Sequence, residues 1–196
     1  MKFYRFLVLL CILPILAACA DAKFSSESTL PSGTTQSTEP ESIQIPYSAR
    51  FVELTPDQGL SFEPVISVIR SKTELQAYCE ENKLRYFTYS DSGSSIADFA
   101  ELCTGYDDLF FQNSQLILLS FSEPSISTTH EISEIAYQAS GQMGIFMNAI
   151  NDGFLLDRAA NWCCILEIDA KYLVDTEDIT VDISVLNYPN GRPADS

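Results

Sequence analysis

The sequence has one histidine, one tryptophan and eight glycines, and its eleven Lys and Arg residues face 27 Asp and Glu, for a formal net charge of −16. Each shortage excludes something. A body so poor in cations is repelled by nucleic acid and by anionic lipid headgroups, so no nucleic-acid partner is expected. With His130 as the only imidazole, and at the start of a strand-like run, a cysteine nucleophile has one base to draw on and no evident orienting group. No glycine-rich phosphate loop and no nucleophile elbow occurs. The cysteines lack the close paired spacing of thiol redox motifs and structural zinc sites, and no acidic cluster follows the EF-hand loop. No catalytic residue, metal site or cofactor is therefore assigned. A long apolar run is missing as well: Phe6 to Ala18 is 13 residues, against roughly 20 for a helix that spans a bilayer.

What that short run offers instead is an export signal. It follows Lys2 and Arg5 and closes on Leu16-Ala17-Ala18-Cys19, the pattern of a bacterial lipoprotein signal with its lipid-acceptor cysteine. Residues 1–18 are expected to be removed, leaving Cys19 as the first residue and the membrane, through that lipid, as the first partner. Removal takes away two bases and no acid, so the mature chain is more acidic still. The lipid must then hold the body at the membrane against its own charge, which one acyl chain does only marginally and two or three do well. The expected location is the outer face of the cell membrane.

From Ala20 to Pro46 the residues are mostly Ser, Thr, Glu, Pro and Gly, with few apolar groups to offset the entropy of ordering. Residues 19–46 are read as the acceptor cysteine and a disordered tether, with a coil end-to-end distance of roughly 25 to 30 Å. Residues 47–188 are read as one globular domain and residues 189–196 as a flexible tail.

Within the body, Ala49 to Leu54 and Pro64 to Arg70 are short strand-like runs separated by the turn-like Pro56-Asp57-Gln58-Gly59. Ser71-Lys72-Thr73-Glu74 has the spacing of a helix capping box, and Leu75, Tyr78 and Cys79 follow on one helical stripe. Ser95 with Asp98 repeats a weaker version, and Ile96, Phe99, Ala100 and Cys103 recur at helical spacing, which predicts a second helix. A short helical turn is expected around Asp107 to Gln112. The pattern then changes to period two. Gln115 to Phe121, Glu131 to Ala139, Gly144 to Ile150, Trp162 to Asp169 and Ile179 to Leu186 read as five strands, the first central and the last with one wet face. Strands, then helices, then strands predict an α+β fold: a mainly antiparallel sheet with two to three short helices packed on one side.

Six cysteines occur. Cys11 lies in the signal and Cys19 is the lipid acceptor, leaving Cys79, Cys103, Cys163 and Cys164, an even number in an exported chain. A trans peptide holds adjacent Cα atoms about 3.8 Å apart, below the disulfide window of about 4.4 to 6.8 Å, so Cys163 and Cys164 are not expected to pair with each other. Alternation places Cys164 with Trp162, Leu166 and Ile168 on one face of its strand, and Cys163 with Ile165, Glu167 and Asp169 on the other. Cys79 and Cys103, each on the inward stripe of a predicted helix, are the candidate disulfide, although shared burial alone would also explain them.

The segments Val68-Ile69-Arg70-Ser71-Lys72-Thr73-Glu74-Leu75, Tyr106-Asp107-Asp108-Leu109-Phe110-Phe111 and Gln115-Leu116-Ile117-Leu118-Leu119-Ser120 resemble the C-terminal domain of the PrcB family of protease-complex subunits. Strand, helix, Phe-rich turn and hydrophobic strand follow there in the same order. Ser125 to Ile132 falls where that family has a Ser-Gly-Gly segment, without the glycines. Asp157-Arg158-Ala159-Ala160-Asn161-Trp162 ahead of Cys163 to Ile168 is similar to a stretch in surface lipoproteins of Firmicutes. The resemblance implies an accessory or assembly role at the cell surface, with an envelope protein as partner and no catalytic residues to carry over.

The expectation from the sequence is therefore a lipid-anchored, non-catalytic binding or assembly module. Its candidate contact surface is Ser125, Ser127, Thr128 and His130 with Asp157, Arg158, Asn161 and Trp162, two polar segments flanking core strands. The rivals are a small surface hydrolase, for which Asp152, Asp157 and Glu167 would have to cluster, and a lipoprotein that scavenges a ligand or cation, which needs a pocket with convergent polar groups.

Overall fold

A computed structural model describes residues 42–90, 93–138, 140–151, 158–172 and 175–188. The expected lipid-acceptor Cys19, nearly all of the tether and the C-terminal tail lie outside them. The strands are β1 (Ile43–Gln44), β2 (Tyr47–Leu54), β3 (Val65–Ile69), β4 (Arg85–Ser90), β5 (Gly93–Asp98), β6 (Ser114–Glu123), β7 (Thr129–Tyr137), β8 (Met143–Asn151), β9 (Ala160–Asp169) and β10 (Ile179–Asn187). The helices are α1 (Lys72–Asn82) and the single turn α2 (Phe99–Leu102), with short 3-10 turns elsewhere. Among the described residues no helix is long and apolar enough to cross a membrane.

Six strands form one sheet in the order β3-β6-β9-β2-β4-β5, and four form another in the order β1-β7-β8-β10. All pairings are antiparallel except β8 with β10, which is parallel because β9 crosses to the larger sheet between them. The fold is thus broadly α+β and mainly antiparallel, with less helix than the sequence suggested.

Its layers follow from β6 and β9. Both lie inside the larger sheet and are apolar on both faces. Ile117, Leu119 and Phe121 with Cys164, Leu166 and Ile168 pack against Ile132, Ile135, Met143, Ile145 and Met147 of the smaller sheet. Leu116 and Leu118 with Cys163 and Ile165 pack instead under Leu75 and Cys79 of α1 and Phe99 of α2. The alternation expected for Cys163 and Cys164 is therefore the alternation found.

Two expectations change. The second helix does not begin at Ser95: residues 93–98 pair with β4 as a hairpin, Ser90 opposite Gly93, and Ile96 is exposed on that strand. The Ser- and Gly-rich run there is a hairpin signal that helical spacing masked. Phe99 and Cys103 still point inward. Residues before 47 also join the sheets, since β1 pairs with β7 and buried Ile45 donates its N–H to the Ile135 carbonyl at 2.7 Å. The wet face expected of β10 is present, with Asp182 and Ser184 exposed, and as an edge strand it also exposes Ile183 and Val185 on the other line while Ile179 stays buried.

The α1 termini are built as the sequence specifies. Ser71 Oγ accepts the Glu74 N–H at 3.1 Å, and Glu74 Oε2 accepts the N–H of Arg70 at 2.7 Å, one residue earlier than in the usual box. At the other end Lys83 sits at φ 47°, the left-handed conformation that glycine adopts without cost, and returns its N–H to the Cys79 carbonyl at 2.9 Å. Ser71→Ala is expected to lower stability by about 1 kcal/mol. Lys83→Gly should raise it by up to about 1 kcal/mol. Urea unfolding followed by far-ultraviolet circular dichroism measures both.

Candidate functional site: the polar end of the sandwich

The β6 and β8 strands end, and β7 and β9 begin, at one end of the two-sheet body. The apolar alternation stops there and polar side chains take over. Residues 124–128 cross from the larger sheet to the smaller, and their backbone is tied to the segment before β9 by Ile126 N–H to the Arg158 carbonyl at 2.8 Å. The two polar segments singled out in the sequence thus meet in space.

Between the sheets, His130 is wholly enclosed. Its ring stacks on Phe51 at 5.5 Å and meets Phe121 at 5.1 Å and Trp162 at 5.4 Å edge to face. Its Nε2 lies 3.1 Å from Glu123 Oε1, a carboxylate that keeps a narrow opening to solvent. Trp162 stands opposite Phe121 of β6 and opposite Glu53 of β2. Glu53 is nearly buried. Burial holds its carboxyl above the usual range, and Arg158 at 3.9 Å counters this in part. Two ring nitrogens, His130 Nδ1 and Trp162 Nε1, are buried and make no hydrogen bond among the described residues.

On the opposite face of the larger sheet, Asn161 locks the same end. Its Nδ2 donates to the Thr55 carbonyl at 3.0 Å, and its Oδ1 accepts from Ser122 Oγ at 2.8 Å. In the crossing segment, Ser125 and Ser127 share a hydroxyl contact at 2.8 Å, and Thr128 Oγ1 donates to Asn151 Oδ1 at 2.9 Å. Asn151 in turn donates to Asn187 Oδ1 of β10 at 3.1 Å. Every strand that ends here is linked by at least one side-chain hydrogen bond or ring contact.

The predicted contact residues therefore divide. Ser125, Thr128, Asn161 and the His130 ring are buried and form the scaffold, so their side chains do not make the surface that the sequence reading gave them. Ser127 and Trp162 are half-buried, Arg158 is exposed, and Asp157 lies outside the described residues. Glu53, Thr55, Ser122 and Glu123 were missed. The strand runs hid them: alternation from Phe51 puts Glu53 on the inter-sheet face, and Ser122-Glu123 closes the apolar run of β6 beside the segment already chosen.

The other sequence candidates lie elsewhere. Glu167 is seven residues along β9 from Ala160, on the helix-side face, where it accepts the Tyr106 hydroxyl at 2.7 Å. Asp152 and Asp157 lie outside the described residues, so their place relative to Glu167 is not given. Cys163 is fully buried and burial pushes its thiol up to about 12, and burial pushes Cys164 up as well, leaving neither a ready nucleophile at neutral pH. Cys79 and Cys103 are both buried and present as thiols. No group of three or more His, Cys, Asp and Glu placed to hold a metal ion occurs among the described residues.

No protein-family model, no curated protein and no solved structure matches the chain.

Two outcomes test the network. Asn161→Ala should lower stability by about 1 to 3 kcal/mol, because the Thr55 carbonyl and Ser122 hydroxyl lose their buried partner; denaturant unfolding measures it. Glu53 has a folded pKa above its unfolded value, so its protonated form favours folding, and that contribution is lost as pH rises through the folded pKa. Glu53→Gln should therefore gain on the wild type in melting temperature as pH is raised from the acidic carboxylate range to neutrality. A gain unchanged across that span would contradict the assignment.

Proposed function

We propose that the protein is a non-catalytic binding or assembly module of the cell envelope, held on the outer face of the membrane by a lipid on Cys19 and presenting the polar end of its sandwich to a protein partner. The observation that carries this reading is the crossing segment 124–128 tied to Arg158, with the buried Asn161 and His130 contacts fixing both segments to the central strands. A loop buttressed in this way loses little entropy when a partner closes on it, which is what a contact surface requires. Pro124 and Arg158 are exposed there, and Ser127 and Trp162 are half-buried. The helix layer, two short elements on one face of the larger sheet, supports that sheet from behind.

The likeness of Val68 to Ser120 to PrcB C-terminal domains suggests a protease-complex accessory as one form of the role. Like charges hold the acidic body away from anionic surfaces, and Arg158, an exposed cation at the polar end, is placed to meet a carboxylate of the partner.

The test is mild cross-linking in the native host, with recovery from detergent-solubilised membranes, in wild type, Cys19→Ala and Arg158→Glu. The expected result is a stoichiometric envelope protein that is reduced by the charge reversal and lost without the anchor. Arg158 is exposed, so its reversal should leave the fold intact, and circular dichroism confirms that. Recovery of the same partner at undiminished yield from Arg158→Glu would overturn the placement of the surface. Recovery of no protein partner at all would overturn the role.

A further inference from the structure

The face opposite the smaller sheet holds a feature that the binding reading does not use. A cavity of about 250 Å³ beside α1 is lined by Leu75, Cys79, Ala100, Cys103 and Tyr106 among others. It adjoins a wider groove of about 810 Å³ that shares Gln76, Cys79 and Ala100 with it and runs out between Lys83, Arg85 and Asp98. The two thiols at this site come from different elements: Cys79 from the last turns of α1, and Cys103 from the 3-10 turn that follows α2. Both line the inner cavity, and both belong to the cluster of buried side chains under α1 and α2. A third thiol, Cys163, lies beneath them on β9, lines neither cavity and is fully enclosed.

We propose that Cys79 and Cys103 are a reversible thiol–disulfide exchange site, reached through the groove by low-molecular-weight disulfides, which staples α1 to the α2 turn when oxidised. The structure gives the two sulfurs different parts. Cys79 lines both cavities and Cys103 only the inner one, so Cys79 is the sulfur that meets the incoming disulfide first. The interaction of the pair also lowers the Cys79 thiol from its ordinary range and, with burial, raises Cys103.

In the first step the Cys79 thiolate attacks one sulfur of a disulfide R–S–S–R, its own proton having passed to water. A bond forms between Cys79 and that sulfur, and R–S⁻ leaves and is protonated. In the second step Cys103, once deprotonated, attacks the Cys79 sulfur and expels the second R–S⁻. Two protein thiols are oxidised to one disulfide and R–S–S–R is reduced to two R–SH. The new bond closes a loop that contains the β4–β5 hairpin, which restricts the unfolded chain and raises the melting temperature. Cys163 and Cys164 take no part, because no disulfide of that size reaches them.

Glutathione disulfide is the probe, applied to the full-length folded protein, followed by alkylation of remaining thiols and tryptic mapping. Trypsin separates the residues cleanly: Cys79 falls in the peptide Thr73–Lys83, Cys103 in Tyr86–Arg158, and Cys163 with Cys164 in Ala159–Lys171. The expected product is a cross-link between the first two peptides with loss of two hydrogen atoms, the third peptide fully alkylated only after denaturation, and reversal by excess reduced glutathione. The oxidised protein should melt several degrees higher than the reduced one. In Cys103→Ser, one glutathione should accumulate on Cys79, whereas Cys79→Ser should take up none. Should either variant fail to fold, the wild-type map decides alone. Thiols that stay free in the wild type, a glutathione retained on it without the cross-link, or a cross-link to Ala159–Lys171 would each overturn the proposal.

Discussion

Two adjacent strands, β6 and β9, carry apolar side chains on both of their faces, and the rest of the molecule is arranged to keep both faces from water. A strand of that kind cannot sit at an edge or in a one-sided sheet without exposing half of its side chains. Here the two pair with each other in the middle of the larger sheet, the smaller sheet covers one side, and α1 with α2 covers the other. Burying a Leu or Ile on each face at roughly 1.5 to 3 kcal/mol apiece makes this pair the main source of favourable free energy. It also explains the unusual cysteines. Cys163 and Cys164 are neighbours in sequence but belong to different cores, and each acts there as a small apolar side chain.

The same constraint produces the polar end. Where β6 and β9 run out of partners the apolar alternation must stop, and the chain has to cross between sheets twice. Polar backbone at such crossings is costly unless it is paired. Asn161 pairs the Thr55 carbonyl and the Ile126 N–H pairs the Arg158 carbonyl, while Thr128 and Ser122 pair the buried side chains beside them. The enclosed His130 belongs to the same end: three aromatic rings hold it, and Glu123 Oε1 lies 3.1 Å from one of its two nitrogens. The buried half of this end is tied to the central strands, so Ser125, Thr128 and Asn161 shape the crossing while Arg158 faces outward.

Much of this was legible in the residues. The short apolar runs Gln115 to Phe121 and Trp162 to Asp169 give both strands, and the alternation of side chains along a strand puts Cys163 and Cys164 on opposite faces, because both are local properties. Ser71 and Glu74 give the start of α1 for the same reason. The β4–β5 hairpin was not legible, since Ile96, Phe99 and Cys103 satisfy helical spacing while residues 93–98 are in fact held by their partner strand, a non-local fact. The 250 Å³ cavity and the place of Cys79 and Cys103 on its wall depend on how α1 and α2 lie on the sheet, and one inward stripe per helix could suggest that pair but not its opening to solvent. For the polar end, sequence located the segments and misassigned several side chains. Ser125, Thr128 and Asn161 are residue types common at surfaces, and only the crossing geometry turns them inward.

Native-state hydrogen exchange followed by nuclear magnetic resonance tests most directly whether the polar end is fixed by the central strands. The account predicts that the amides of Ile117 to Phe121 and Cys163 to Ile168 exchange only through global unfolding, and that those of Ile126 and Thr128 are protected to within about an order of magnitude of them. Exchange of Ile126 and Thr128 at the rate of an open loop, beside fully protected β6 and β9, would contradict it and leave the polar end a mobile connection with no prepared surface.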